Sequence, residues 1–114
     1  MDLVVRQSMT AGVTVVQVSG EADLATLPKL ADALTRATAE TSGAVAVDLD
    51  GVQLLDDAAL GLLLGAAARA RQAGGELSVV CSEGAMRDRL AVTGFDRAVA
   101  VVASLAQLAR NSGS

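Results

Sequence analysis

Between Ala44 and Gly75 the chain follows a pattern that few folds can accommodate. Ala44 to Leu49, AVAVDL, is a strand whose successive side chains are nearly all apolar. Such a strand has no face to give to water, so it needs a layer on each side, the condition of parallel strands between helices. The acidic pair Asp56-Asp57 then opens a predicted helix from Ala58 to Ala73, ended by Gly74-Gly75 in the usual C-terminal position. A carboxylate pair between a strand end and a helix start sits where open α/β sheets present their working groups.

The flanking segments extend the same alternation. Leu3 to Ser8 and Val13 to Ser19 are strand candidates separated by the turn signal Ala11-Gly12, and they pair as an antiparallel hairpin. Gly20 reads as the end of the second strand. Asp23 reads as the N-cap of a helix from Leu24 to about Thr38, with Leu24, Leu27, Ala31, Leu34 and Thr38 at helical spacing. Pro28 falls near its first turn, where a missing N–H is tolerated. Thr41-Ser42-Gly43 breaks that helix. Further along come a strand at Leu77 to Cys81, a short helix from Gly84 to Val92, a strand at Ala98 to Val102 and a helix from Leu105 to Arg110. The order β-β-α-β-α-β-α-β-α predicts one α/β domain with a mixed, mostly parallel five-stranded sheet, an N-terminal hairpin and about four helices. Residues 1–110 are expected to form it, with 111–114 as a loose tail.

Composition narrows the function. Phe95 is the only aromatic residue and the formal net charge is −4, so neither base stacking nor phosphate neutralisation is on offer and nucleic acid is not an expected partner. There is no histidine, which removes the commonest general base and metal ligand together. No Gly-rich phosphate loop joins a strand to a helix, and no catalytic constellation can be assembled; no enzyme activity, cofactor or metal site is expected. No apolar run is long enough to span a bilayer and no signal segment is evident. Cys81 stands alone. A cytoplasmic location without membrane insertion is expected.

Placed on a wheel at about 100° per residue, the helix after the acidic pair separates into two faces. Leu60, Leu63, Ala66, Ala67 and Ala70 form the packing side. Gly61, Gly65, Ala68 and Gln72 lie opposite, with Leu64 and Arg69 at the margins. Each helix-interior glycine costs about 1 kcal/mol relative to alanine, so two of them at i and i+4 need a return. Close approach of a partner's backbone supplies one.

If the second, third and fourth strands end at one pole, Glu21, Asp23, Asp56, Asp57 and Glu83 gather there. N-capping accounts for Asp23 and for one of Asp56 and Asp57. A phospho-accepting aspartate of the receiver type would call for a lysine near the chain end, whereas Lys29, the only lysine, lies in the first predicted helix.

Five motifs in order resemble a known family. They are G-E-x-D at Gly20, Glu21 and Asp23; D-L-x-x-V at Asp48, Leu49 and Val52; L-G-x-x-L-G at Leu60, Gly61, Leu64 and Gly65; G-G-E-L at Gly74 to Leu77; and T-G-F at Thr93 to Phe95. The chain resembles the anti-sigma-factor antagonists, single-domain STAS proteins of bacterial partner-switching systems. The resemblance implies a non-enzymatic module that binds an anti-sigma factor, usually of the serine-kinase type, and so frees a sigma factor. It implies a docking surface around the third-strand loop and second helix, here Glu21, Asp23, Asp56, Asp57, Ala58, Ala59, Gly61, Leu64, Gly65 and Ala68. A monomer or weak dimer is expected.

The family's phosphorylation motif, D-S-S-G, reads Asp56-Asp57-Ala58-Ala59 here. Asp57 stands at the phospho-acceptor position, which therefore has no hydroxyl to modify. Two consequences are open: Asp57 imitates a phosphoserine in part and holds the partner off, or binding is constitutive. Phosphorylation adds roughly −1.5 to −2 charge, whereas a carboxylate adds one. Thr26, Ser82 and Thr93 are other hydroxyls, each explicable as a turn or helix-end residue. Loss of the serine makes a second reading more credible, a STAS accessory subunit of a lipid-transport ABC complex; a third is a STAS domain that senses a small ligand at the acidic pole.

Overall fold

A computed structural model describes residues 2–40 and 43–112; the expected break at Thr41-Ser42-Gly43 lies outside them except for Gly43, and 113–114 of the expected tail lie outside them too. The chain begins with a hairpin of strands β1 (Leu3–Thr10) and β2 (Val13–Ala22), joined by Ala11 and Gly12 at φ 51° and 79°. Two consecutive positive φ angles give the tight turn whose twist matches that of paired strands. Helix α1 (Leu27–Glu40), strand β3 (Ala44–Leu55), helix α2 (Asp57–Gln72) and strand β4 (Glu76–Val80) follow. Helix α3 (Ala85–Val92), a single turn α4 (Phe95–Ala98), strand β5 (Val101–Val102) and helix α5 (Leu105–Ser112) complete the order. The strands form one five-stranded sheet in the order β1-β2-β3-β4-β5, with β1 and β2 antiparallel and the remaining pairs parallel. The α/β class and the hairpin are as expected. Among the described residues there are five helices, the addition being the short α4.

The apolar strand is covered on both faces. Val45, Val47 and Leu49 join the main core with Val16, Val18, Leu30, Leu34, Leu63 and Val79 beneath α1 and α2. Ala46, between them, belongs to a smaller cluster on the opposite face with Val13, Val15, Val80, Val102 and Leu108 of α5. Among the described residues, no helix is long and apolar enough to cross a membrane.

Several boundaries differ from expectation, among them β3, which runs on from Leu49 to Leu55. Gly20 does not end β2. It sits inside the strand at φ +101°, where an added Cβ would lie 2.2 Å from the Asp2 carbonyl oxygen. The register between β2 and β3 shifts on either side of it and then resumes, pairing Glu21 with Leu54 and Ala22 with Leu55. The glycine permits an irregularity, and both strands run on past the point where β4 stops, since β3–β4 pairing ends at Asp48–Val80. Next, α1 starts at Leu27, not Leu24, and buries Leu30, Leu34 and Ala37. Leu24 is 74% exposed and no part of its stripe. Finally, the predicted strand from Ala98 shrinks to Val101–Val102, because Phe95–Ala98 closes a helical turn over the buried Phe95 ring. At the C-terminus, α5 extends to Ser112, two residues into the segment expected to be loose.

Candidate functional site

The overshoot of β2 and β3 builds the site. The Asp56 amide donates to the Ala22 carbonyl at 3.1 Å, fastening the end of β3 to the end of β2. With φ −85° and ψ 175°, Asp56 is the N-cap of α2, and its Oδ1 accepts from the Ala59 amide at 2.9 Å. One of the two aspartates is thus spent on satisfying an orphan amide of the first turn. Asp57 is left as the first residue of the helix, with its side chain 94% exposed. Negative charge at a helix start is favoured by the backbone dipoles.

Asp57 has a partner that the sequence did not bring forward. Arg89 of α3 donates from a terminal guanidinium nitrogen to Asp57 Oδ1 at 3.0 Å, while its Nε donates to the Leu55 carbonyl at 2.7 Å. Arg89 therefore ties α3 to the β3 end and presents a counter-charge to Asp57. Nothing in its local sequence marks it, because the link joins residues 32 and 34 positions apart.

Asp23 is not the helix cap expected of it. Its Oδ1 accepts from the Thr26 amide at 3.1 Å, and its own amide donates to Thr26 Oγ1 at 3.0 Å. This reciprocal turn occupies residues 23–26 and postpones the helix. The Thr26 hydroxyl donates to the Glu21 carbonyl at 2.9 Å. Ser82 is similarly engaged: its amide and hydroxyl both donate to the Asp50 carboxylate, at 2.7 and 2.9 Å. Thr93 Oγ1 donates to the Leu90 carbonyl at 3.1 Å. All three spare hydroxyls hold local structure.

The five acids do not form one cluster. Glu21, Asp23, Asp56 and Asp57 belong to the raised ends of β2 and β3 and the segments leaving them. Glu83 follows the shorter β4 and lines a lower recess with Asp50, Ser82 and Met86. Among the described residues, no group of three or more carboxylate or thiol side chains can hold a metal ion. Cys81 is buried, and its thiol is pushed up from its ordinary pKa first by burial and then by the Asp50 charge.

Helix α2 divides as the wheel predicts. Ala59, Leu60, Leu63, Ala66, Ala67 and Ala70 are buried. On the outer side Gly61, Ala68 and Gln72 are exposed, Gly65 is half-buried and Leu64 is 38% exposed. A Cβ added at Gly61 would meet nothing within 4 Å, and one at Gly65 only the Arg69 guanidinium at 3.5 Å. No packing inside the chain demands either glycine. Two grooves flank the head of the helix. One, of about 590 Å³, runs between the β3 end and α3 along Leu54, Met86 and Arg89; the other, of about 270 Å³, lies between α2 and α4 along Gly61, Leu64 and Ala98. Asp57 borders both. Leu24 and Leu54 add exposed apolar surface to this pole that the sequence reading had not assigned to it.

A family model described as "Mlab, STAS domain" matches residues 5–108. The chain belongs to the STAS family. Among solved structures, this STAS domain is similar to an anti-sigma factor antagonist from Mycobacterium paratuberculosis, at 26% identity and a TM-score of 0.88 over 99% of this chain and 96% of that one. It is also similar to the anti-sigma factor antagonist SpoIIAA in its unphosphorylated form, at 15% identity and a TM-score of 0.70 over 95% and 96% of the two chains. The phosphorylated form of SpoIIAA, a Bacillus cell fate determinant, gives 15% identity and 0.68 over 94% and 98%. At 15% identity the SpoIIAA likeness establishes the fold alone. A search of curated protein sequences gave no match.

Proposed function

We propose that this STAS domain is a non-catalytic interaction module that binds an anti-sigma factor of the serine-kinase type, as part of partner-switching control of transcription. One observation carries the reading: Gly61 and Gly65 leave a strip of α2 that no atom of the chain needs empty, beside an aspartate that is 94% exposed. A partner helix or loop laid along that strip would recover the stability the glycines cost. The likeness to the mycobacterial antagonist supports an anti-sigma factor as the partner. The contact surface comprises Glu21, Asp23, Asp56, Asp57, Ala58, Ala59, Gly61, Leu64, Gly65 and Ala68.

Asp57 supplies no hydroxyl, so the family's usual switch does not operate at this position. Its single charge faces Arg89 at 3.0 Å, and a paired carboxylate is a poor imitation of a phosphate. We therefore read the surface as constitutively open to its partner. Titration calorimetry with an anti-sigma factor of the serine-kinase type from the same organism tests both statements. Binding by the wild type, with Asp57→Ser within about threefold of it, is the expected result. A wild type that does not bind while Asp57→Ser does would show that Asp57 holds the partner off. The missing hydroxyl also favours a second reading, an accessory subunit docked on the ATPase of a lipid-transport complex. Affinity capture from the native cell that recovers transporter subunits and no sigma regulator would establish that reading instead.

A further inference from the structure

Helix α3 is lightly rooted in the fold. Leu90 is its one buried residue, Met86 packs half-buried against the edge of the main core, and Val92 is 86% exposed. Its polar ties run through two arginines. A terminal nitrogen of Arg87 donates to the Cys81 carbonyl at 3.1 Å, and Arg89 donates to the Leu55 carbonyl and to Asp57.

The two ends of the helix are built alike. Gly84 precedes it at φ +138° without a side-chain cap, and Gly94 follows Thr93 at φ +80°. A Cβ added at either glycine would meet nothing within 4 Å, so neither is hemmed in on that side. Glycine crosses between positive and negative φ at little cost. Beyond both glycines the chain is held. The Cys81 amide donates to the Val102 carbonyl at 2.9 Å, Ser82 is bonded through its amide and hydroxyl to Asp50, and Phe95 is buried. A weakly anchored segment therefore lies between two permissive joints, each backed by fixed chain.

We propose that α3 is a flap that opens as one unit between Gly84 and Gly94. Opening withdraws Leu90 from the core and breaks the bonds of Arg87 and Arg89, while β3, β4 and α2 keep their pairing and packing. Eight residues are too few to stay helical in water once lifted, so the open flap unravels. The groove of about 590 Å³ then loses the wall made by Ala85, Met86 and Arg89 and keeps the one made by Val52, Leu54 and Leu55. This gives the groove a narrow and a wide state, and a ligand that fits only the wide state draws the population toward it. The flap belongs to the free chain and stands whether or not the partner is an anti-sigma factor.

Native-state hydrogen exchange of the full chain, read residue by residue by NMR at low urea concentrations, tests the flap. The amides from Asp88 to Thr93 are expected to share one opening equilibrium, roughly a hundredfold more populated than the opening that exposes Val45, Val47 and Leu49 of β3. Its urea dependence should be measurable but less than half that of the β3 amides, since Leu90 and Met86 gain solvent and most of the core does not. Arg89→Met keeps an unbranched stem and loses the bonds to Leu55 and Asp57. It should speed α3 exchange about tenfold beyond any change in β3. Exchange of α3 only through global unfolding overturns the proposal. So does exchange graded inward from the helix ends without urea dependence, which is fraying, and so does an Arg89→Met variant whose α3 is no faster relative to β3.

Discussion

Replacing Gly61 and Gly65 separates what the fold wants from what a partner wants. Gly61→Ala adds a methyl that meets nothing within 4 Å, and Gly65→Ala adds one in ordinary contact with the mobile end of Arg69. Neither replacement costs packing, so the helix-propensity gain of about 1 kcal/mol each should appear in full. The double variant is expected to be more stable by about 2 kcal/mol, which moves the urea midpoint up by roughly 1 M at the slopes usual for a small domain. Equilibrium urea unfolding followed by circular dichroism reads this directly. If the double variant is no more stable than the wild type, the outer strip is used inside the molecule and the argument for a docking face fails. The binding half uses Gly61→Gln, since glutamine keeps most of the propensity gain and adds bulk at the end of the strip nearest Asp57. It should be as stable as the wild type or more so, yet bind the anti-sigma factor at least tenfold more weakly. Undiminished binding by a stabilised Gly61→Gln would place the partner elsewhere.

Other substitutions probe the supports of the site. Asp56→Ala removes the α2 cap and should cost about 1 kcal/mol in urea unfolding, whereas Asp57→Ala removes an exposed ion pair and a favourable charge at the helix start and should cost less, about 0.5 kcal/mol. Gly20→Ala forces a side chain against the Asp2 carbonyl at a positive φ, and should destabilise by about 2 kcal/mol or more in the same assay. The Cys81 thiol is held above its ordinary pKa by burial and Asp50. Iodoacetamide at pH 8 should therefore modify the native protein far more slowly than the urea-unfolded chain. The sign for stability follows from the same shift. The unfolded thiol loses its proton first, so its contribution falls as the pH rises past the ordinary thiol range.

Periodic apolar residues made much of the fold legible. The doubly buried AVAVDL strand, the packing face of α2 and the hairpin turn are all local patterns, and local patterns are what a sequence displays. Misplaced features depended on contacts between distant segments. Gly20 looked like a terminator because glycine usually is one; its purpose, to let β2 pass the Asp2 carbonyl, exists only once β1 lies alongside. Leu24 matched a helical stripe by spacing, but the reciprocal Asp23–Thr26 turn claimed that stretch first. At the site, Asp56 as a cap could be anticipated from its place before an apolar helix. Arg89 could not, since its value lies in reaching Leu55 and Asp57 from another helix. The expected gathering of five acids assumed strands of equal length, and the long β3 separated Glu83 from the rest.

One earlier detail reaches beyond this molecule's own energetics. The larger groove has the β3 end as one wall and α3 as the other, and Arg89 spans them. The aperture of that groove is therefore governed by the reach of a single side chain attached to a tolerant surface helix. A change of one codon at this position can open or reshape the groove while the core keeps every residue it has. The shape of the surface beside Asp57 thus depends on a residue that no strand or core position fixes.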